Sequence, residues 1–208
     1  KKTKQSGNLA AFVIFGKKLN MLKLKQPIIL ASKSPRRQEL LTLMGLNFAV
    51  ELKDVDESYP ATLSAPEIAV YISEKKAKAF NANPNEIIIT ADTIVAINGE
   101  ILGKPKDHKE AQEMLGKLSG NKHEVYTGVS INYQGKTTSF YDQTEVFCRV
   151  LNTEEINYYI DNYQPFDKAG SYGIQDWFGL TVVERLNGSY TNVMGLPTEK
   201  LYQYLLKL

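Results

Sequence analysis

The chain has 208 residues, 43% of them apolar and 23% charged, enough for one α/β domain of ordinary size and unlike a disordered or fibrous protein. The formal net charge of +2 conceals an uneven distribution: residues 1–38 hold ten Lys or Arg and no acid, so the other 170 carry 15 bases against 23 acids, a net of −8. That body argues against a broad nucleic-acid-binding face, whereas positive charge gathered in a net-acidic protein suits a small anionic ligand.

In chain order, Leu9 to Phe15 is an apolar stretch flanked by lysines, too short to span a bilayer and without a small-residue cleavage site before Lys17 and Lys18. Residues 1–20 read as an N-terminal extension, and 21–208, from Met21, as a single folded domain. Ile28 to Ala31 is a short apolar run expected as a buried strand. Ser34 offers a capping oxygen, Pro35 suits the first helical position, Leu40, Leu41 and Met44 follow at helical spacing, and Gly45 can end the helix. Phe48 to Leu52 is a second strand, and Asp54 to Pro60 an acidic loop closed by proline. Ile68, Tyr71, Ile72 and Ala79 mark an amphipathic helix from Ala65 to about Phe80, followed by a turn at Asn81 to Asn85.

Glu86 to Asn98 is the most hydrophobic strand, interrupted at its centre by Asp92. Asn98-Gly99 is a hairpin signal, with Ile101-Leu102 returning before Gly103-Lys104-Pro105. Asp107 can cap a helix through Leu118. Glu124 to Tyr133 and Thr137 to Val150 alternate as two long strands around Gln134-Gly135. Thr153 starts a helix to about Tyr163. A loop carries Asp167 to Gln175, and a strand at Leu180 to Leu186 precedes a C-terminal helix after Pro197. Strands and helices mixed throughout, with no repeat and no low-complexity linker, argue one α/β unit. The single cysteine, Cys148, excludes an intrachain disulfide; in an alternating strand it reads as a buried reduced thiol, which fits a reducing cytoplasm.

Two places carry chemistry. Arg36 and Arg37 lie in the first turn of a helix, where the macrodipole disfavours cations by roughly 0.3–1 kcal/mol each. With free N–H groups and Ser32 and Ser34 at the same helix start, they read as an anion site, best suited to phosphate, the alternative being a solvated basic turn. A carboxylate within Ile87 to Val95 is costly to bury unpaired, so Asp92 must face a cleft, meet a cation or bind metal, unless it is a structural Asp at a strand end. Glu57 could join Asp92 on a divalent cation, since Mg²⁺ takes one or two carboxylates plus phosphate oxygens; Asp54 and Asp56 compete with it on spacing. Lys76 and Lys104 read as ordinary surface lysines, Lys104 being held by a stiff Gly-Lys-Pro loop. Gln175 could hydrogen-bond a base edge. His108 and His123 lack ligand spacing and are assigned no catalytic role.

Leu30 to Leu41 (Leu-Ala-Ser-Lys-Ser-Pro-Arg-Arg-Gln-Glu-Leu-Leu) closely resembles the signature of the Maf (septum formation inhibitor) family. Ala91 to Val95, Gly103 to Pro105, Lys168 to Gln175 and Gly188 to Pro197 resemble its later motifs in order. The resemblance implies a nucleoside triphosphate pyrophosphatase whose fold is like that of the inosine triphosphatases: a long, bent mixed β-sheet flanked by helices, two lobes with a central cleft, as a homodimer. It implies a divalent cation, Mg²⁺ or Mn²⁺, held by Asp92 and Glu57; no membrane or nucleic-acid partner; and a cytoplasmic location. One branch acts on dTTP and UTP, another on 7-methyl-GTP, and Thr93 with the Tyr-Gly-Ile-Gln motif resembles the first. By that resemblance Asp92 is the proton acceptor, Arg36, Thr93 and Gln175 bear on substrate choice, and Ser32, Arg37, Glu57, Lys76 and Lys104 belong to the active site. Asp176-Trp177 departs from the glycine that follows Gln175 in many members. The rival reading is a nucleotide-binding regulator of cell division or septum formation that needs the anion site but no turnover.

Overall fold

The computed structural model describes residues 22, 24–80 and 83–208; the extension at 1–20, the proposed start at Met21 and part of the 81–85 turn lie outside them. The elements run β1 (Ile28–Leu30), α1 (Pro35–Leu43), β2 (Phe48–Val50), α2 (Ala65–Lys78), β3 (Ile87–Ile97), β4 (Glu100–Leu102), α3 (His108–Leu118), β5 (Lys122–Tyr133), β6 (Lys136–Cys148), α4 (Thr153–Tyr163), α5 (Trp177–Thr181), β7 (Val183–Asn187), α6 (Tyr190–Met194) and α7 (Thr198–Leu205). Two short 3₁₀ turns, Pro165–Asp167 and Ala169–Ser171, lie between α4 and α5.

The strands form one mixed sheet in the order β2-β1-β3-β5-β6-β7, with β4 on β3. β1 is parallel to β2 and β3; the remaining pairings are antiparallel. β3 is apolar almost throughout because both its faces are covered. Ile87, Ile89, Ala91 and Val95 join the main core beneath α1, α3, α4 and α7, while Ile94 packs on Ile68 and Ile72 of α2. The helix α2 comes close enough to β5 that a Cβ on Gly128 would sit 2.3 Å from the Ala69 carbonyl, so that strand position needs glycine.

One edge of β3 makes the site possible. Along that edge Ile87 to Ile89 pair with β1 and Val95 to Ile97 with β4. Between them the edge has no strand partner among the described residues, and there a cleft of about 460 Å³ opens beside Asp92 and Thr93.

Local chemistry explains most boundaries. Leu46 N–H donates to Leu41 O and Gly45 N–H to Thr42 O, with Gly45 at φ +76°: the Schellman closure of α1. Asn98-Gly99 and Gln134-Gly135 each have both residues at positive φ, as two-residue hairpin turns require. Asp107 caps α3 through Glu110 N–H, and Asn152 with Glu155 forms a capping box at α4.

Two expectations are corrected. The strand expected at Leu180 to Leu186 is β7 at Val183–Asn187, preceded by a helical turn. The β-branched run after Leu180 favoured a strand, but Asp176 accepts from Phe178 N–H at 3.2 Å and starts α5, leaving Leu180 exposed on its outside. Ser34 occupies the N-cap position of α1 but makes no side-chain capping bond; its N–H instead donates to Ser32 Oγ at 3.2 Å. The one-turn helix α6, inside the Gly188–Pro197 motif, has no counterpart among the expected elements.

Cys148 is buried, and burial pushes its thiol up to about 12, the inert state expected of it. His123 is fully buried with Nε2 2.7 Å from the Tyr172 hydroxyl, and burial pushes its imidazole down to about 4. Between that value and the unfolded one near 6.5 the unfolded chain binds the extra proton, so stability falls as pH drops through this window, by about 3 kcal/mol from this residue. Denaturant unfolding at pH 7 and pH 4.5 should show that loss in the wild type and a clearly smaller one in His123→Asn.

Candidate active site

The cleft is built by the segments that flank the open edge of β3. All nine residues singled out from the sequence, Ser32, Arg36, Arg37, Glu57, Lys76, Asp92, Thr93, Lys104 and Gln175, contribute to its wall.

From the β1 side, Ala31 N–H donates to Ile89 O at 2.9 Å, extending the parallel pairing one residue before the chain turns into α1. Ser32 Oγ accepts from Ser34 N–H and from Arg37 Nη1 at 3.1 Å, which leaves its own proton free to donate into the cleft. Arg37 is tied at three points: Nη1 to Ser32, Nη2 to Thr93 Oγ1 at 3.0 Å and Nε to the Gly195 carbonyl at 2.7 Å. Burial lowers its guanidinium pKa and the nearby Asp92 charge pulls it back up, so Arg37 remains a fixed cation. Arg36 reaches outward, 3.3 Å from Asp167, which Lys168 also holds at 2.8 Å.

From the α2 side comes the centre of the site. Lys76 Nζ lies 2.7 Å from Asp92 Oδ1 and 2.8 Å from Glu57 Oε1. Lys76 and Asp92 are only 16% and 14% exposed, whereas Glu57, on its loop, is 51% exposed. Burial works to raise the Glu57 carboxyl, but Lys76, Lys104 and Arg37 together outweigh it and hold it below the ordinary carboxylate range. Of the competing acids, Asp56 turns away to Ser58 and Lys75, and Asp54 lines the cleft with no ion pair among the described residues.

Lys76 was the least distinctive of the nine, yet it continues the buried stripe Ile68, Ile72 at a spacing of four, while Lys75 and Lys78 turn outward to Asp56 and Glu74. A lysine on the core side of an amphipathic helix is the signal that could have marked it. Lys104 makes no ion pair among the described residues; its loop is fixed by Gly170 N–H donating to Gly103 O at 3.0 Å. Gln175 Oε1 is buried without a hydrogen-bond partner among the described residues. The unusual Asp176 beside it has a structural role: it accepts from the Tyr159 hydroxyl at 3.0 Å as well as capping α5, and burial raises its pKa. Tyr159 in turn accepts Gly173 N–H at 3.0 Å, so the Gln175 loop is braced from behind.

Asp167 and Lys168, and the Thr127, Asn192 and Gly195 groups behind Thr93 and Arg37, carry no individual role in the sequence reading, although all but Thr127 lie in stretches it singles out. The last three come from the Gly188–Pro197 motif and from an inward threonine on β5, and only the fold brings them together.

Arg36, Arg37, Lys76, Lys104 and Lys168, two convergent carboxylates and a helix start without a side-chain cap surround the open strand edge of this α/β protein, an arrangement suited to a phosphorylated anion. The family model described as Maf-like protein matches residues 27–208, and the chain belongs to that family. It is 52% identical to a dTTP/UTP pyrophosphatase of Flavobacterium psychrophilum, over 86% of this chain and 93% of that one. It is 51% identical to a dTTP/UTP pyrophosphatase of Bacteroides thetaiotaomicron, over 88% and 97% of the two chains. The Staphylococcus aureus Ham1 protein superposes with a TM-score of 0.42 at 20% identity, over 59% of this chain and 72% of that one; the architecture described above stands on its own strand pairings. No helix among the described residues is long and apolar enough to cross a membrane.

Proposed function

We propose that the protein hydrolyses nucleoside triphosphates, dTTP and UTP foremost, to the monophosphate and pyrophosphate. The observation that carries this reading is the Glu57–Lys76–Asp92 cluster facing Arg36, Arg37 and Lys104 across one cleft. Membership of the family and the names of its half-identical relatives support it.

The residues fit a divalent cation. Asp92 Oδ1 and Glu57 Oε1 both pair with Lys76 Nζ, at 2.7 and 2.8 Å, which brings the two carboxylates side by side, and the second oxygen of each makes no hydrogen bond or ion pair among the described residues. Among the described residues no third His, Cys, Asp or Glu completes a protein-only site. Two carboxylates with the remaining places left to phosphate oxygens and water is the manner in which Mg²⁺ and Mn²⁺ are usually held. Glu57 and Asp92 would hold the ion, which when bound neutralises phosphate charge.

Asp92 accepts the proton of the water that attacks the α-phosphorus, and the bond from that phosphorus to the bridging oxygen breaks as pyrophosphate leaves. Lys76 holds Asp92 and Glu57 in place through an ion pair to each. Arg36, Arg37 and Lys104 offset the charge developing on the leaving group. Ser32 donates its free proton to a phosphate oxygen. Thr93 and Gln175 meet the base, the orphaned amide oxygen of Gln175 gaining a partner on binding. A homodimer and a cytoplasmic location, where nucleoside triphosphates are pooled, belong to the same proposal and follow from the family resemblance.

Pyrophosphate release from dTTP, UTP, CTP, GTP and 7-methyl-GTP, each with and without Mg²⁺ or Mn²⁺, tests it. Metal-dependent release favouring dTTP and UTP is expected. Preference for another base would discard the roles of Thr93 and Gln175. Tight binding without release would leave the regulator in place of the enzyme.

A further inference from the structure

Two hydroxyl protons behind the cleft can be placed by elimination. Thr127 Oγ1 lies 2.9 Å from the backbone carbonyl oxygen of Asn192. A carbonyl only accepts, so the one hydroxyl proton of Thr127 lies in that bond. Thr93 Oγ1 is 3.0 Å from Thr127 Oγ1, and with the Thr127 proton committed, Thr93 is the donor there. Thr93 Oγ1 also accepts from Arg37 Nη2. Its proton and one lone pair are thereby used, and it turns one lone pair and no proton toward whatever fills the cleft.

The opposite order would set two oxygens against each other at 2.9 Å in a buried place with no proton between them, a cost nothing nearby repays. The order is also held from behind. Asn192 is fully buried, and its Nδ2 donates to Val125 O at 3.0 Å and Thr144 Oγ1 at 2.9 Å. Thr144 accepts Ser189 N–H and donates to Ser189 O, closing the network on the start of α6. The Asn192 backbone carbonyl also accepts Gly195 N–H at 3.0 Å, which holds it beside Thr127.

We propose that Thr127, which lines no part of the cleft, sets base specificity by taking the proton of Thr93 and so fixing Thr93 as a hydrogen-bond acceptor toward the base. A freely rotating hydroxyl would donate or accept as the ligand asked. One locked as an acceptor selects a base whose facing ring nitrogen carries a hydrogen, as N3 of uracil and thymine does, and rejects cytosine, whose N3 is itself an acceptor. This inference rests on the nucleotide reading of the cleft and deepens it.

The test is equilibrium binding of UTP and CTP in EDTA, where turnover is stopped, to wild type, Thr127→Val and Thr127→Ser. The wild type should bind UTP at least about tenfold more tightly than CTP. In Thr127→Val the hydroxyl of Thr93 is released, and the gap should shrink to about threefold or less, chiefly through tighter CTP binding. Thr127→Ser keeps both bonds and should restore the wild-type gap. Thr127→Ala is the second non-donor variant should Thr127→Val not fold. A wild type that binds both nucleotides equally, a gap unchanged in folded Thr127→Val or Thr127→Ala, or a gap lost equally in Thr127→Ser would overturn the inference. Binding that discriminates as expected without pyrophosphate release would strike the enzymatic reading and leave this one. Release with a gap insensitive to Thr127 would do the reverse.

Discussion

Asp92→Asn should lower kcat for UTP by about a thousandfold or more while leaving a folded protein. A positioned general base contributes typically about 10²–10⁴-fold, and an amide cannot take the proton. The swap is nearly isosteric, and Lys76 keeps Glu57 at 2.8 Å, so no buried cation is stranded. Thermal unfolding should therefore move little. Turnover within threefold of wild type, measured at saturating UTP and Mg²⁺, would remove Asp92 from the chemistry. A fall in turnover matched by a collapse in melting temperature would assign it to the fold instead.

Arg37→Lys should cost at least about 100-fold in kcat/KM together with about 2 kcal/mol of stability. Lysine keeps the charge but cannot reproduce the fork that spans Ser32, Thr93 and the Gly195 carbonyl. The partners are part-buried, so an unmet Gly195 carbonyl carries a real penalty, and both Ser32 and Thr93 lose the group that fixes them. Arg36 is different: its bond to the exposed Asp167 is a surface pair of the kind worth roughly 0–1 kcal/mol. Steady-state kinetics and urea unfolding of the same Arg37→Lys preparation would decide the matter. Wild-type kcat/KM in that variant would mean that charge alone suffices and that the three-point geometry is incidental.

Much of the site was legible because its residues are anomalies against their local pattern. Two arginines at a helix start oppose the dipole, and a carboxylate breaks the most apolar strand of the chain; both proved to face the same cleft. Glu57 and Lys76 carried no such mark on their own. Their meaning is relational: a loop acid and one of three neighbouring lysines are joined to Asp92 only when α2 lies across β3. The stripe Ile68, Ile72, Lys76 contained the clue, but choosing among Lys75, Lys76 and Lys78 required the helix phase.

The strand pattern was legible where hydrophobic period and hairpin glycines agreed, as in β3 to β6. At Leu180 to Leu186 only the start of the strand was misplaced: the β-branched run was overruled by the local cap in which Asp176 accepts Phe178 N–H and by the Tyr159 hydroxyl that donates to Asp176. The capping role of Ser34 failed for a related reason. Its N–H is drawn to Ser32, whose hydroxyl is also wanted by Arg37, and the first turn of α1 keeps no side-chain cap. That departure from good helix chemistry leaves donors facing the place where an anion would bind.

The most direct test of the central claim, that this cleft directs water to the α-phosphorus, is hydrolysis of UTP with Mg²⁺ in ¹⁸O-enriched water, the products being separated and weighed by mass spectrometry. The label should appear in UMP and be absent from pyrophosphate. Label in pyrophosphate would place the attack on the β-phosphorus, and UDP with orthophosphate would place it on the γ-phosphorus; either would contradict the proposed roles of Asp92 and the cations around it.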